Sequence, residues 1–392
     1  MSPSLRLVLP ILVAAGSLGL LASSIYVPSI PDIARDLGVS VGLVQLTMTV
    51  FLVAYGSSML IVGALSDRFG RRKVLLTGIL LCLIASLGCA LARSIEVLLI
   101  GRAFQALGSC AGVVIARAMV RDLFDREQTA RAMSILAASV TIVPVMAPAL
   151  GGYLQVWLGW RASFFVVAIG AALLYGIVST WLPETNVTLQ NQASLFRGLS
   201  NSFLSLARSR RFLGYAMVTG CGGAAYYAFA SAAPIVFIER LHVSPDIYGL
   251  YAGVSSLGFF FGSAFSGRYS MRTGTDFFIR LGGLIQLAAG AALIGFAWYG
   301  VEATWAIAVP LFFMGSANGM YMPNAFAGGV SVHPHLAGAA AGLAGFVQMA
   351  GAGLSTIGMA SIEQTSAIPM GVVIAGAGII ITLAFRGMEK EL

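Results

Sequence analysis

An arginine and a glutamine, Arg102 and Gln105, stand three residues apart inside an apolar stretch covering about 96–118. An arginine in hydrocarbon costs roughly 2.5–3.5 kcal/mol on insertion scales, so it is kept for a partner or a water-filled cavity. Two readings follow: Arg102 bonds backbone carbonyls of a neighbouring helix, or it handles charge inside the membrane. Farther along the same stretch come Arg117, which is able to snorkel toward one surface, then Arg121 and Asp122. The middles of the apolar stretches hold no carboxylate or histidine. Asp67 and Asp122 fall at stretch ends on one side, Asp32, Asp36, Glu96 and Glu363 at ends on the other, and His242, His333 and His335 between stretches. Four cysteines, Cys82, Cys89, Cys110 and Cys221, lie inside apolar segments with neither metal-ligand spacing nor a disulfide framework. No His, Ser, Cys and carboxylate set converges as catalysis would need. The chemistry on offer is charge handling and small-molecule recognition; no enzyme, cofactor or metal is implied.

The densest cluster of charge is the run Gly63-Ala-Leu-Ser-Asp67-Arg68-Phe-Gly70-Arg71-Arg72-Lys73, wedged between apolar stretches at about 41–65 and 74–92. Cations are common in any loop on the positive side of a membrane. The glycines ask for more. Gly63 is suited to close helix approach, and Gly70 to a tight turn with positive φ. Asp67 sits where a helix ends, and the helix dipole disfavours a carboxylate there. It needs a partner, either an arginine or the N-terminus of another helix.

These groups have to be positioned by membrane helices. Hydrophobic residues make up 58% of the chain and charged residues 10%, against about 25% charged in a soluble domain. At about 20 residues per crossing, we place twelve spans at 6–28, 41–65, 74–92, 96–118, 131–153, 162–182, 212–238, 246–267, 277–298, 304–325, 338–360 and 366–386. The apolar run at 7–27 is longer than a signal-peptide core and reads as a retained first span. The runs lack the alternation of a membrane barrel, so they are helices. With the N-terminus inside, eighteen Lys and Arg fall on the inner side and four on the outer, with Arg102 within a span. That bias puts both termini in the cytoplasm. The net charge of +8 punctuates the apolar runs instead of forming a patch, so it speaks for topology and against nucleic acid.

The run at 63–73 resembles the loop between spans two and three of the major facilitator superfamily, G-x-x-x-D-R-x-G-R-R-[KR], at every position. Within that family the chain looks most like the twelve-span drug exporters of the bicyclomycin and chloramphenicol–florfenicol type. The resemblance implies an all-α membrane fold of two pseudo-symmetric six-helix bundles. They would occupy residues 1–185 and 212–392, joined by a cytoplasmic linker at 186–211. Shifted by 200 residues, the loop meets Ser263-Ala-Phe-Ser266-Gly267-Arg268-Tyr-Ser-Met-Arg272-Thr, a faint second copy. Parallel halves put the substrate site at their interface near the midplane. By resemblance, Gly63, Asp67, Arg68, Gly70, Arg71, Arg72 and Asp122 gate the cycle. Asp122 is expected to pair with Arg71 or Arg68 while Asp67 faces the start of span eleven, near Leu336 to Gly338. These contacts would latch the inner side when the cavity faces outward. Arg102 and Gln105 resemble the span-four motif associated with proton coupling. In span five, Pro144, Pro148, Gly151 and Gly152 resemble the antiporter motif G-x-x-x-G-P-x-x-G-G, with Val143 and Ala147 replacing its two leading glycines. The small residues should pack span five on span eight.

Span one keeps Tyr26, Pro28 and Pro31 of the exporters' D-x-Y-x-P-x-x-P, but Ser24 stands at the aspartate. Coupling must then run through carboxylates at span ends, the substrate's own charge, or another route. Ser24, Tyr26, Arg117, Tyr226, Tyr227, Asn318, Tyr321 and Gln348 are candidates for the cavity wall, which needs apolar surface with a few placed polar groups. Each has an alternative in interhelical hydrogen bonding or an aromatic belt. The resulting expectation is a multi-pass protein of the bacterial inner membrane, monomeric, surrounded by lipid. It exports small neutral or anionic amphipathic compounds by alternating access, in preference to organic cations, because a cavity with an arginine and no carboxylate disfavours a buried unpaired cation. Proton antiport is expected to drive it. The other readings on the same fold are a metabolite importer or facilitator, and a siderophore or metabolite exporter.

Overall fold

The structure is a computed structural model, and it describes residues 3–186, 202–333, 336–362, 364 and 366–389. Thirteen α-helices account for nearly all of them. They are α1 (Pro3–Ser24), α2 (Ile30–Leu37), α3 (Val41–Phe69), α4 (Arg71–Ala90), α5 (Ile95–Leu123), α6 (Arg126–Leu158), α7 (Arg161–Trp181), α8 (Arg210–Pro234), α9 (Pro245–Thr273), α10 (Thr275–Trp298), α11 (Thr304–Ser331), α12 (Ala337–Ala360) and α13 (Ile368–Glu389). Nine helical segments among the described residues are long and apolar enough to cross a membrane. The outward faces are as apolar as the cores. Ile84, Ile100, Phe104, Leu173, Phe260 and Leu383 point away from the protein, a pattern that only a lipid surround makes favourable. Trp157, Trp181, Trp298, Tyr299 and Trp305 are exposed at helix ends, where aromatic rings sit at the headgroup level.

Local chemistry sets the ends. Ser40, Asp125 and Ser209 cap α3, α6 and α8 by accepting from Leu43, Gln128 and Phe212 backbone N–H groups. The first span is broken where the sequence suggested one helix: α1 stops at Ser24, a 3-10 turn covers Val27–Ser29, and α2 starts at Ile30. Pro28 and Pro31 each remove a helical donor, which accounts for the breaks. After Pro234 the seventh span widens into a π-helix over Ile235–Arg240.

Contacts within residues 3–186 join α3 to α5, α4 to α5 and α7, and α1 to α5, α6 and α7. Within 210–389 they join α9 to α11, α10 to α11 and α13, and α8 to α12 and α13. The two groups meet along α3 with α12 and along α6 with α9. Residues 187–201 of the expected linker lie outside the described residues.

The repeat is better than the sequence comparison suggested, and its register differs. α3 has 29 residues and ends on Gly70 at φ 98°, ψ 143°; α9 has 29 residues and ends on Gly274 at φ 85°, ψ 154°. The shift is therefore 204 residues, not 200, and it superposes Gly63, Ser66, Arg68 and Gly70 on Gly267, Ser270, Arg272 and Gly274. A left-handed glycine between two helices constrains the geometry more than side-chain identity does. Asp67 and Arg71 correspond to Met271 and Thr275, so the ionic part of the loop occurs once.

Candidate substrate cavity and gating loop

Arg71 organises the loop. Its guanidinium bonds Ser66 Oγ at 2.6 Å, Asp67 Oδ1 at 2.5 Å and Asp122 Oδ2 at 3.2 Å. The backbone N–H groups of Arg71 and Arg72 donate to the two oxygens of Glu184 at 2.8 and 3.1 Å. A carboxylate therefore sits on the N-terminus of α4, where orphan N–H groups and the helix dipole both favour it. Glu184 also takes the N–H groups of Thr185 and Asn186 at 3.0 and 3.1 Å. Thr185 Oγ1 donates to Asp122, and Asn186 Nδ2 donates to Asp67 O at 2.7 Å. Arg72 reaches Ser179 O, and Arg68 lies over the ring of Phe69 at 4.6 Å. Glu184 was not singled out from the sequence. The signal available was Pro183-Glu184-Thr185 directly after a span, facing a helix whose first turn has no acid of its own.

In this structure the Asp67 side chain pairs with Arg71, four residues on; its expected contact with the start of α12 belongs to the outward-facing state, and this structure is closed at the outer end. One expectation about the loop needs correction: Gly63 is not a close-approach glycine, since a Cβ there would only touch Val114 at 3.9 Å. Gly70 has two reasons to be glycine: its positive φ, and the Glu184 carboxylate 2.5 Å from where a Cβ would stand.

At the opposite end the two groups are pressed together. Gln45 Nε2 donates to Ser231 O at 2.8 Å, and Thr49 and Thr356 hydroxyls are 2.7 Å apart, all buried. A Cβ on Gly42 would lie 2.6 Å from Ala360 O, and one on Gly152 would collide with Pro245 O. Gly249 of α9 in turn lies against Pro148 and Ala149, and Gly151 against Ile25 O. The small residues of α6 thus seat it on α9 and on the end of the first span. Pro144 is half-buried on the same helix. Side chains of α2 and the adjoining loops close this end within the first group: Asp36 accepts from Trp160 Nε1 at 3.0 Å and Arg161 Nη1 at 2.8 Å, and Arg161 also holds Ala92 O.

Between these ends lies a small cavity of about 10 Å³, lined by Ser23, Ser24, Met48, Pro148, Tyr226, Tyr227 and neighbours from α1, α3, α6, α8 and α9. It is constricted, with room for about one water-sized species. A wider cleft opens at the arginine-rich end within the first group, between Leu9, Pro10 and Val13 of α1 and Phe124, Gln128, Arg131, Ala132 and Ile135.

Arg102 is fully buried beside this cavity's α1 wall. Nη1 donates to Ala22 O at 2.8 Å and Gln105 Oε1 at 2.6 Å, and Gln105 Nε2 donates to Ser86 Oγ at 2.8 Å. The guanidinium stacks over Tyr26 at 4.3 Å and Phe51 at 4.2 Å; each such contact contributes about 2 kcal/mol once desolvated. Nε and Nη2 have no partner, and no carboxylate pairs with the guanidinium among the described ion pairs. Both sequence readings of Arg102 therefore keep some ground: it bonds a carbonyl of α1, yet retains uncommitted donors.

The other candidates divide. Ser24, Tyr226 and Tyr227 line the cavity. Tyr26 lies behind it, bonded to Thr47 at 3.0 Å and covering Arg102. Arg117 reaches across to α11, 5.9 Å from the ring of Phe326. Asn318 and Tyr321, expected on the wall, are instead packed inside the second group. Asn318 Nδ2 donates to Gly222 O at 3.3 Å, and Tyr321 is buried among Val218, Ile279, Ala325 and Ile381. They share a helix face, as their spacing indicated, but that face turns toward α8 and α10. Gln348 rests on Gly223 of α8.

Long apolar helices in two groups, closed at one end over a polar-flecked cavity, define a membrane carrier for small molecules. The model of the Major Facilitator Superfamily matches residues 12–356. The chain is 33% identical over 391 residues to multidrug resistance protein D of Escherichia coli (strain K12), covering 99% of this chain and 96% of that one. It is 28% identical over 360 residues to the bicyclomycin resistance protein homolog of Haemophilus influenzae, covering 92% and 90%. Among solved structures, a bacterial homolog of the human lysosomal transporter Spinster, in an inward-facing and unoccupied conformation, aligns with a TM-score of 0.78 at 18% identity over 100% of this chain and 98% of that one. The chain belongs to the Major Facilitator Superfamily.

Proposed function

We infer that the protein is a secondary-active efflux transporter of small neutral or anionic amphipathic compounds, working by alternating access. The observation that carries this reading is the interface cavity: hydroxyls and aromatic rings line it, Arg102 lies beside it, and no carboxylate reaches it among the described residues. An organic cation would meet a buried like charge there, at high cost. The relatives named for multidrug and bicyclomycin resistance support export over import.

The protein is placed in the bacterial inner membrane as a monomer, with the arginine-rich end and both termini in the cytoplasm, following the Lys and Arg bias. Residues 1–185 and 212–392 rock as two bundles about the 186–211 linker. Gly63, Asp67, Arg68, Gly70, Arg71, Arg72 and Asp122 serve the inner gate, and Arg102 with Gln105 the coupling to protons. The pairing of Asp67 with Arg71 belongs to the state open at the arginine-rich end.

The test is a susceptibility panel in an exporter-deficient host, with and without a protonophore. Protection against chloramphenicol or bicyclomycin that the protonophore abolishes is the expected result. Protection against ethidium and not chloramphenicol would overturn the substrate class. Protection that survives the protonophore would overturn proton coupling.

A further inference from the structure

The cleft between α1 and α6 at the arginine-rich end is graded from charged to apolar along its length. Its floor is Phe124 and Ala132, both buried. Half-buried Leu9 and Val13 of α1 form one wall and exposed Ile135 of α6 the other. Gln128 and Arg131 stand at the lip, in the first two turns of α6. Val13 lies four residues beyond Leu9, and Ile135 four beyond Arg131, which is about 6 Å farther toward the middle of the membrane. The polar groups are therefore at headgroup level and the apolar ones at acyl-chain level. Arg131 is exposed, and no ion pair among the described residues includes it. The Asp125 carboxylate at the same end accepts from the Gln128 backbone N–H at 2.8 Å and caps α6. The arginine is left with its planar fork of donors open, a shape that suits a phosphate.

We propose that this cleft binds one anionic phospholipid, its phosphate on Arg131 and Gln128 and an acyl chain along Leu9, Val13 and Ile135. One unpaired arginine above an apolar trough matches a ligand with a single negative head and a hydrocarbon tail, and basic pockets between membrane helices on the inner side take such headgroups. A free phosphate would leave the trough uncovered. A zwitterionic lipid would fill the trough but bring an ammonium toward the arginine. A peptide segment would set backbone polar groups against apolar walls that offer them no partners. The lipid bridges two helices of the first group, so its binding stabilises the folded protein.

The measurement needs binding, not transport, so it stands whether or not the export reading holds. Purified, delipidated full-length protein in detergent is titrated with phosphatidylglycerol or phosphatidylethanolamine of the same acyl chains, and bound lipid is counted by native mass spectrometry alongside Tm. One phosphatidylglycerol is expected to bind several-fold more tightly than phosphatidylethanolamine and to raise Tm saturably. Arg131→Gln should abolish that preference, whereas Arg272→Gln, the same charge change at an exposed site of the second group, should leave it intact. Val13→Trp fills the trough and should weaken binding of both lipids several-fold. Equal affinity for the two lipids in the unaltered protein would overturn the headgroup assignment. A preference that survives Arg131→Gln, or that Arg272→Gln lowers as much, would overturn the location. Unchanged binding in Val13→Trp would remove the acyl chain from the cleft. Inorganic phosphate that raises Tm without lipid and displaces phosphatidylglycerol would assign the site to the free ion and refute the lipid. If Val13→Trp does not fold, the comparison of Arg131→Gln with Arg272→Gln decides the matter alone.

Discussion

Replacing Glu184 with alanine removes an interaction that no intrahelical bond can replace. The amides of Arg71 and Arg72 open α4, and the first N–H groups of a helix have no partner within it. In this protein both donate to one carboxylate, at 2.8 and 3.1 Å. Loss of a cap of this kind costs about 1 kcal/mol, and removing a negative charge from a helix N-terminus adds about 0.3–1 kcal/mol. Glu184 is exposed, so water recovers part of the hydrogen bonding, and the total comes to about 1–2 kcal/mol. As a local opening equilibrium, that is roughly a 5–30-fold increase. Hydrogen exchange of the Arg71 and Arg72 amides is the assay, because these two amides report the contact directly. Glu184→Gln keeps an acceptor oxygen and loses the charge, so its effect should fall between wild type and alanine. Exchange at Arg71 and Arg72 that is the same in Glu184→Ala as in wild type would refute the claim that Glu184 holds the loop.

Gly70→Ala should lower Tm, since an L-residue at φ 98° is strained and its Cβ would displace Glu184; combined with Glu184→Ala, the two losses should be less than additive, and full additivity would separate them. Gly152→Val should hold α6 off Pro245 and abolish resistance in cells while leaving membrane insertion intact, measured by growth and by the amount of protein in the membrane fraction. Gln45→Ala with Thr356→Val removes two buried bonds between the groups, each contributing about 0.5–1.5 kcal/mol. Spin-label distances between positions 41 and 361 should then broaden toward longer values, and unchanged distributions would show that these bonds do not hold the end shut. Asp67→Asn should slow turnover in proteoliposomes with little change in Tm, because its ion pair with Arg71 is 38% exposed on the Asp67 side chain; normal turnover would remove Asp67 from the gate.

Much of this protein is legible from its residues alone. Long apolar runs can satisfy their backbones in lipid only as helices, so twelve spans could be placed, and charged residues between them marked the turns. Gly70 announced its turn because few other residues tolerate positive φ. Arg102 announced itself because a charge in hydrocarbon is rare. Other features depended on what lies nearby in space. Glu184 and Arg71 are 113 positions apart, and their contact exists only because α7 returns beside α4. The repeat register of 204 residues emerged from two matching left-handed glycines, since most side chains of the second copy had changed. Asn318 and Tyr321 share a face by spacing, but spacing cannot say which neighbour that face meets. Periodicity and hydropathy are local properties of the chain; which helix sits beside which, and which end is closed, follow from packing between segments far apart in sequence.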